Sequence, residues 1–231
     1  MLQYRVDDKT KEILGNELWT APSKFLSKSS CILDLGGGPG LFAAQLKTKD
    51  NLVVSIDSTR QTLFLGNTIH PSIEPVCGDA LHLPFKDSSF DTILIRAVLH
   101  HFPDQLNDAF YEIFRVLKPN GQILIEEPGH YNPLACIIRK TISTTSHESK
   151  EEPLIPSRLI KIVEQWFSIT EVKYYYLLSY GTPNIVGLMP DRFKPALRKI
   201  VSALVRIDKK LVQFKLFYPL CGYLLIVCIK E

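Results

Sequence analysis

Cysteine is scarce in this sequence and follows no pattern. Cys31, Cys77, Cys136, Cys221 and Cys228 form no C-x-x-C pair and none of the spacings of a metal site. That argues against a disulfide scaffold and a structural metal, and the apolar neighbours of these residues predict buried thiols in a reducing compartment. Long hydrophobic runs are also missing. The longest apolar stretch, 216–229, has 14 residues and is broken by Pro219 and Gly222, whereas a membrane-crossing helix needs about 20. The opening MLQYRVDDKTKEIL is too polar for a signal peptide. A soluble, cytoplasmic protein is the expectation. Internal repeats and low-complexity segments are lacking too. Net charge is only +3, too little to point to nucleic acid by itself.

What is present is ordinary globular material. Hydrophobic residues make up 45% and charged residues 22% of 231 positions, which excludes a disordered tail and suits one large domain, or one with a small lid. The charge is unevenly placed. Residues 1–150 carry 15 basic and 17 acidic side chains, whereas 151–231 carry 12 and 7. The basic excess therefore lies at the C-terminal end.

Short apolar runs alternate with helical periodicity along the middle of the chain. Strands are predicted at Cys31–Leu35, Leu52–Ile56, Ile73–Val76, Phe90–Arg96 and Gln122–Glu126. Helices are predicted from Leu41, over Arg60–Gly66, and over Leu106–Leu117, where Leu106, Ala109, Phe110, Ile113, Phe114 and Leu117 form one face. Lys118-Pro-Asn-Gly121 should stop that helix. Such alternation implies a parallel sheet covered by helices on both faces, with ligands at the carboxyl ends of the strands. The later part reads as a helix over Pro156–Phe167, a strand over Ser168–Leu178, a basic helix over Arg192–Phe217 and a last strand over Gly222–Ile229.

The first strand runs into Asp34-Leu-Gly36-Gly-Gly38-Pro-Gly40. Glycines tolerate positive φ and let a ligand approach the backbone, and the following helix N-terminus offers free N–H groups to an anion. Asp57 ends the next strand, where a carboxylate can accept both hydrogen bonds of a ribose diol. Together they point to an adenosine-containing cofactor. The dinucleotide pattern G-x-G-x-x-G/A fits only if its first glycine slips to Gly38, three residues beyond the strand end.

Read from Asp34, D-x-G-x-G-x-G resembles motif I of the class I S-adenosylmethionine (SAM)-dependent methyltransferases. Three further segments resemble that family in the right order: Gly78-Asp79-Ala80-Leu-His-Leu-Pro84-Phe85, Ser89-Phe-Asp91 with Ala97-Val-Leu-His-His-Phe102, and Arg115-Val-Leu-Lys-Pro-Asn-Gly121. The resemblance covers 31–127. It implies a Rossmann-like, doubly wound α/β fold with a seven-stranded, mostly parallel sheet whose last strand is antiparallel. Residues 1–30 would be an N-terminal helical lid, and 31–231 the SAM-binding domain. The resemblance also implies that Gly36, Gly38 and Gly40 face the methionine moiety. Asp79 would accept from the adenine amino group, the Ala80 N–H would meet a ring nitrogen, and the backbone at Arg96 would meet the methionine amino group. The Arg96 side chain would pair with a carboxylate of cofactor or substrate, or with Asp91 or Glu126.

Methyl transfer from a sulfonium is an in-line displacement, so the protein mainly positions the acceptor. A general base is needed only where an acceptor proton must leave early. His100 and His101 are candidates at the end of the fourth strand; equally, they cap the strand and pack on the next helix. Glu127, His130 and Tyr131 follow the fifth strand and would line the acceptor pocket, with Tyr131 or His130 as base or wall. His101 and Tyr131 are the two catalytic candidates taken forward. No metal is expected.

The segment Arg192–Lys215 holds eight basic residues and one acid, Asp208, interleaved with apolar positions that form one face. It is either a sheet-covering helix with a solvated basic face or a surface for an anionic membrane. With the apolar segments around it, it suggests a hydrophobic or lipid-linked small-molecule acceptor. Two other classes stay open. One is a nucleic-acid methyltransferase tracking phosphates with this helix, against which stands the missing D/N-P-P-Y/F motif. The other is a non-catalytic SAM-fold subunit, against which stand the intact glycine loop and Asp57.

Overall fold

The computed structural model describes residues 9, 10, 13, 30–129, 131–141 and 154–231. The expected N-terminal lid, His130, and residues 142–153 with His147 fall outside them.

Seven strands form one sheet in the order β3-β2-β1-β4-β5-β7-β6. They are β1 (Cys31–Leu35), β2 (Leu52–Asp57), β3 (Glu74–Cys77), β4 (Phe90–Arg96), β5 (Leu117–Pro128), β6 (Ser168–Tyr175) and β7 (Tyr223–Ile229). The pairs β1–β2, β1–β4, β2–β3 and β4–β5 are parallel. β7 runs antiparallel between β5 and β6. The helices are α1 (Ala43–Leu46), α2 (Arg60–Ile69), α3 (Leu106–Val116), α4 (Pro133–Thr141), α5 (Pro156–Val163), α6 (Thr182–Leu188) and α7 (Lys194–Leu211).

The near-continuous apolar strands make sense because both faces of the sheet are covered. Alternate residues sort to opposite sides. Leu33, Leu35, Ile93, Ile95, Ile123 and Ile125 join Phe110 and Ile113 of α3 and Leu159 and Val163 of α5 in one core. Ile32, Val53, Leu94, Leu124, Leu225 and Val227 join Phe42, Ala43 and Leu46 in another. The strand order reverses between β1 and β4, and the two crossovers leave a crevice at their carboxyl ends.

Some boundaries differ from the sequence reading. The turn expected at Lys118–Gly121 lies within β5, with Asn120 at φ +59° supplying the sharp bend. The basic helix is shorter than expected. It runs Lys194–Leu211, and Lys215–Leu220 is a separate 3₁₀ turn containing Pro219. The thiols are not uniformly buried: Cys221 and Cys228 are, but Cys77 is exposed at the end of β3.

Candidate functional site

Where β1 ends, the glycine loop needs left-handed backbone. Gly36, Gly38 and Gly40 have φ of +65°, +54° and +68°. At Gly36 space is as restrictive as conformation, because a Cβ there would collide with Val98 Cγ2. The Gly37 N–H donates to Ile56 O at 3.1 Å, and the Gly38 N–H donates to Asp57 Oδ2 at 3.0 Å. Asp57 Oδ1 accepts the Thr59 N–H at 2.8 Å. The carboxylate is thus fixed at the end of β2 with further acceptor capacity on both oxygens.

Two cavities open at the carboxyl ends of the strands. The larger, about 370 Å³, is lined by Gly36, Asp57, Asp79, Ala80 and His101 among others. The smaller, about 110 Å³, is lined by Asp34, Gly36, Gly38, Phe42, Arg96 and Tyr223 among others. Gly36 and Ala97 line both cavities. Ala97 holds φ +54°, and its N–H donates to Glu126 O at 2.8 Å. A non-glycine residue in that region stores strain, which is characteristic of functional sites.

Charge is concentrated around the smaller cavity. Arg96 Nε donates to Glu126 Oε2 at 2.7 Å, and its guanidinium carbon lies 4.1 Å over the Phe42 ring. Of the two protein partners open from the sequence, Glu126 is the one Arg96 meets, while Asp91 pairs with Lys118. Asp34 is buried, and burial pushes its carboxyl up to about 7 despite the nearby Arg96 guanidinium. Its Oδ2 and the neighbouring Ser55 Oγ are buried without a hydrogen-bond partner among the described residues. An unsatisfied carboxylate oxygen in a residue lining a cavity fits a cationic ligand group such as the ammonium of SAM.

The loop after β3 is held from α3. Arg115 donates to Leu83 O, Phe85 O, Asp87 and Glu112, and Glu112 Oε2 accepts the Leu83 N–H. Asp79 and Ala80, just before the braced segment, line the larger cavity. Sequence reasoning missed this brace; the i, i+3 spacing of Glu112 and Arg115 was the available signal.

Glu127 was expected to line an acceptor pocket, but its side chain is buried. Oε1 accepts the Val98 and Leu99 N–H groups, both at 2.8 Å, and Oε2 lies 2.8 Å from His100 Nδ1. The carboxylate caps the turn after β4, which needs those orphan N–H groups satisfied. His100 is therefore a structural partner of Glu127. His101, on the same turn, is exposed and borders the larger cavity. Tyr131 is 47% exposed just beyond β5. Neither it nor Gly40 is among the residues lining the two cavities. Gly40 O accepts the Ala44 N–H and so starts α1.

Residues 33–125 match the family model described as Methyltransferase domain. The chain is 37% identical over 99 residues to the biotin biosynthesis bifunctional protein BioHC of Cellvibrio japonicus, covering 42% of this chain and 20% of that protein. It is 35% identical over 99 residues to a demethylmenaquinone methyltransferase of Streptomyces avermitilis, covering 43% and 42%. The chain thus spans less than half the length of these relatives. Among solved structures, a SAM-dependent methyltransferase of Methanosarcina mazei superposes with a TM-score of 0.64 at 20% identity, covering 90% of this chain and 96% of that one. The [4+2]-cyclase SpnF superposes with a TM-score of 0.62 at 19% identity, covering 89% and 76%. The motif order, the 3-2-1-4-5-7-6 sheet and these matches agree: residues 33–125 match a methyltransferase domain, and the chain has the class I S-adenosylmethionine-dependent methyltransferase fold.

Proposed function

We propose that this chain transfers a methyl group from SAM to a small, hydrophobic acceptor. The observation that carries the reading is the pair of cavities sharing Gly36 and Ala97, with Asp57 on one side and Asp34 and Arg96 on the other. The larger cavity suits an adenosine, with Asp57 toward the ribose diol and Asp79 and Ala80 toward the base. The smaller suits the methionine end, with Asp34 and the backbone at Arg96 toward its ammonium group. The Gly36–Gly40 loop brings bare backbone close enough for both.

Bound there, SAM supplies an electrophilic methyl group on a good leaving group. The protein's own part is then to hold the acceptor in line and keep water out. His101 borders the adenosine cavity on an exposed turn and is the nearer of the two candidates for receiving an acceptor proton. Tyr131 fits a wall beyond β5. The hydrophobic acceptor is supported by exposed Leu178, Ile185, Leu188 and Met189 in the segment inserted between β6 and β7. It also agrees with the substrate named for the demethylmenaquinone methyltransferase relative. Fold alone would not decide for methyl transfer, since a [4+2]-cyclase shares it.

The test is transfer of label from methyl-labelled SAM to fractionated lipids, metabolites and RNA. Label in an organic-soluble small molecule is expected. Label confined to RNA, or no transfer despite SAM binding, would contradict the reading.

A further inference from the structure

The helix α7 carries more apolar surface than it buries. Its inner line, Leu197, Val201 and Val205, packs with Val186 of α6 and with Tyr176, Tyr180 and Tyr223. A second apolar line, Ala196, Ile200, Ala203 and Ile207, recurs at i, i+4, i+7 and i+11 and so shares one side of the helix. Ile200 is 56% and Ile207 45% exposed. Phe193 just before the helix, and Phe214 and Leu216 after it, add exposed apolar side chains.

Basic residues flank this line. Lys199, Arg206 and Lys210 recur at i, i+7 and i+11 on the adjoining strip, and all three are exposed. Lys209 and Lys215 are exposed as well. The acid within the helix does not offset them. Asp208 is buried, accepting the Leu178 N–H at 2.8 Å, the Ser179 N–H at 3.0 Å and the Ser179 hydroxyl at 2.6 Å. The sole carboxylate of α7 is turned inward as an anchor, and the outer face presents aliphatic and cationic groups together.

We infer that the outer face of α7 and the turn after it dock on an anionic lipid surface. Aliphatic side chains enter the boundary between headgroups and acyl chains while lysine and arginine meet lipid phosphates. The positive strip matches that surface in charge. A nucleic acid would match the charge too, but it would leave Ile200, Ile207 and Leu216 without an apolar partner. No helix among the described residues is long and apolar enough to cross a membrane, so the contact is peripheral. Tyr223 joins the docking helix to the site: it packs in the cluster under α7 and also lines the smaller cavity. Docking would then hold that cavity about one helix diameter, roughly 10 Å, from the lipid. This consequence rests on the proposed function; the docking itself does not.

The experiment is co-sedimentation of the full chain with vesicles of equal parts phosphatidylglycerol and phosphatidylcholine, and with vesicles of phosphatidylcholine alone. Neither donor nor acceptor is needed, so failure here leaves the methyltransferase reading intact. Binding to the anionic vesicles only is expected, weakening with added salt. The triple variant Lys199→Gln/Arg206→Gln/Lys210→Gln should weaken it on the order of a hundredfold. Ile200→Ser/Ile207→Ser should weaken it about tenfold or more. An unchanged far-UV circular dichroism spectrum and thermal midpoint would show that each variant is folded. Several results would overturn the inference: no binding to anionic vesicles, equal binding to both kinds, a folded variant that binds as the parent does, binding to an RNA oligomer in place of vesicles, or a concentration-dependent dimer abolished by the isoleucine variant.

Discussion

The Nε of Arg96 lies 2.7 Å from Glu126 Oε2, across the ends of two neighbouring parallel strands. The Glu126 carboxylate is 1% exposed and the Arg96 side chain 20%, so the pair works in a medium where a lone charge is costly. Arg96→Met should therefore destabilise the fold by about 3–5 kcal/mol. Arg96→Met with Glu126→Gln should recover much of that loss. Urea unfolding of the two single variants and the double variant reads this coupling; strict additivity would show that the pair is incidental.

Asp34 should make SAM binding depend on pH. Burial raises its carboxyl to about 7, so near neutrality the folded protein holds a proton that the unfolded chain has released. Stability contributed by the neutral form is therefore lost as pH rises from about 4 through about 7. A cationic ligand favours the carboxylate, so binding should expel that proton and tighten as pH rises through about 7. Calorimetry in two buffers of different ionisation enthalpy measures the proton release. Asp34→Asn should abolish it and flatten the profile.

Gly36→Ala should weaken SAM binding more than tenfold, because φ +65° and the Val98 side chain both oppose a Cβ. Adding Val98→Ala removes the collision but leaves the backbone strain, so affinity should recover in part. Gly38→Val should abolish binding, since a β-branched residue resists φ +54°. Titration of each variant with SAM checks the order.

Cys77 should be the first thiol to react with N-ethylmaleimide. It is exposed, and its neighbours Gly78 and Asp79 line the larger cavity. Burial pushes Cys221 and Cys228 up to about 12, leaving little thiolate there. Peptide mapping should find Cys77 labelled early and SAM slowing the reaction. Early labelling of Cys228 would contradict the packing of β7.

Much of this was legible in the sequence because apolar runs such as Leu52–Ile56 and Phe90–Arg96 could satisfy only a two-sided sheet, and because the glycine loop and Asp57 need little tertiary context. What escaped depended on contacts across long separations. Glu127 looks like a pocket residue in sequence, yet its carboxylate caps the turn at Val98 and Leu99. The buried role of Asp208 depends on Leu178 and Ser179, 30 and 29 residues away. The break after Leu211 follows from no proline or glycine at that point, so periodicity alone carried the helix too far. Tyr131 lies beyond a strand end, where sequence sets the order of residues but not the direction of a side chain.

The most direct test is calorimetric titration with SAM of the parent chain and of Asp57→Ala. The account predicts a one-to-one complex with the parent and a loss of affinity of at least tenfold in the variant, which lacks the carboxylate fixed by the Gly38 and Thr59 N–H groups. Absence of binding to the folded parent, or equal affinity in the two proteins, would contradict it.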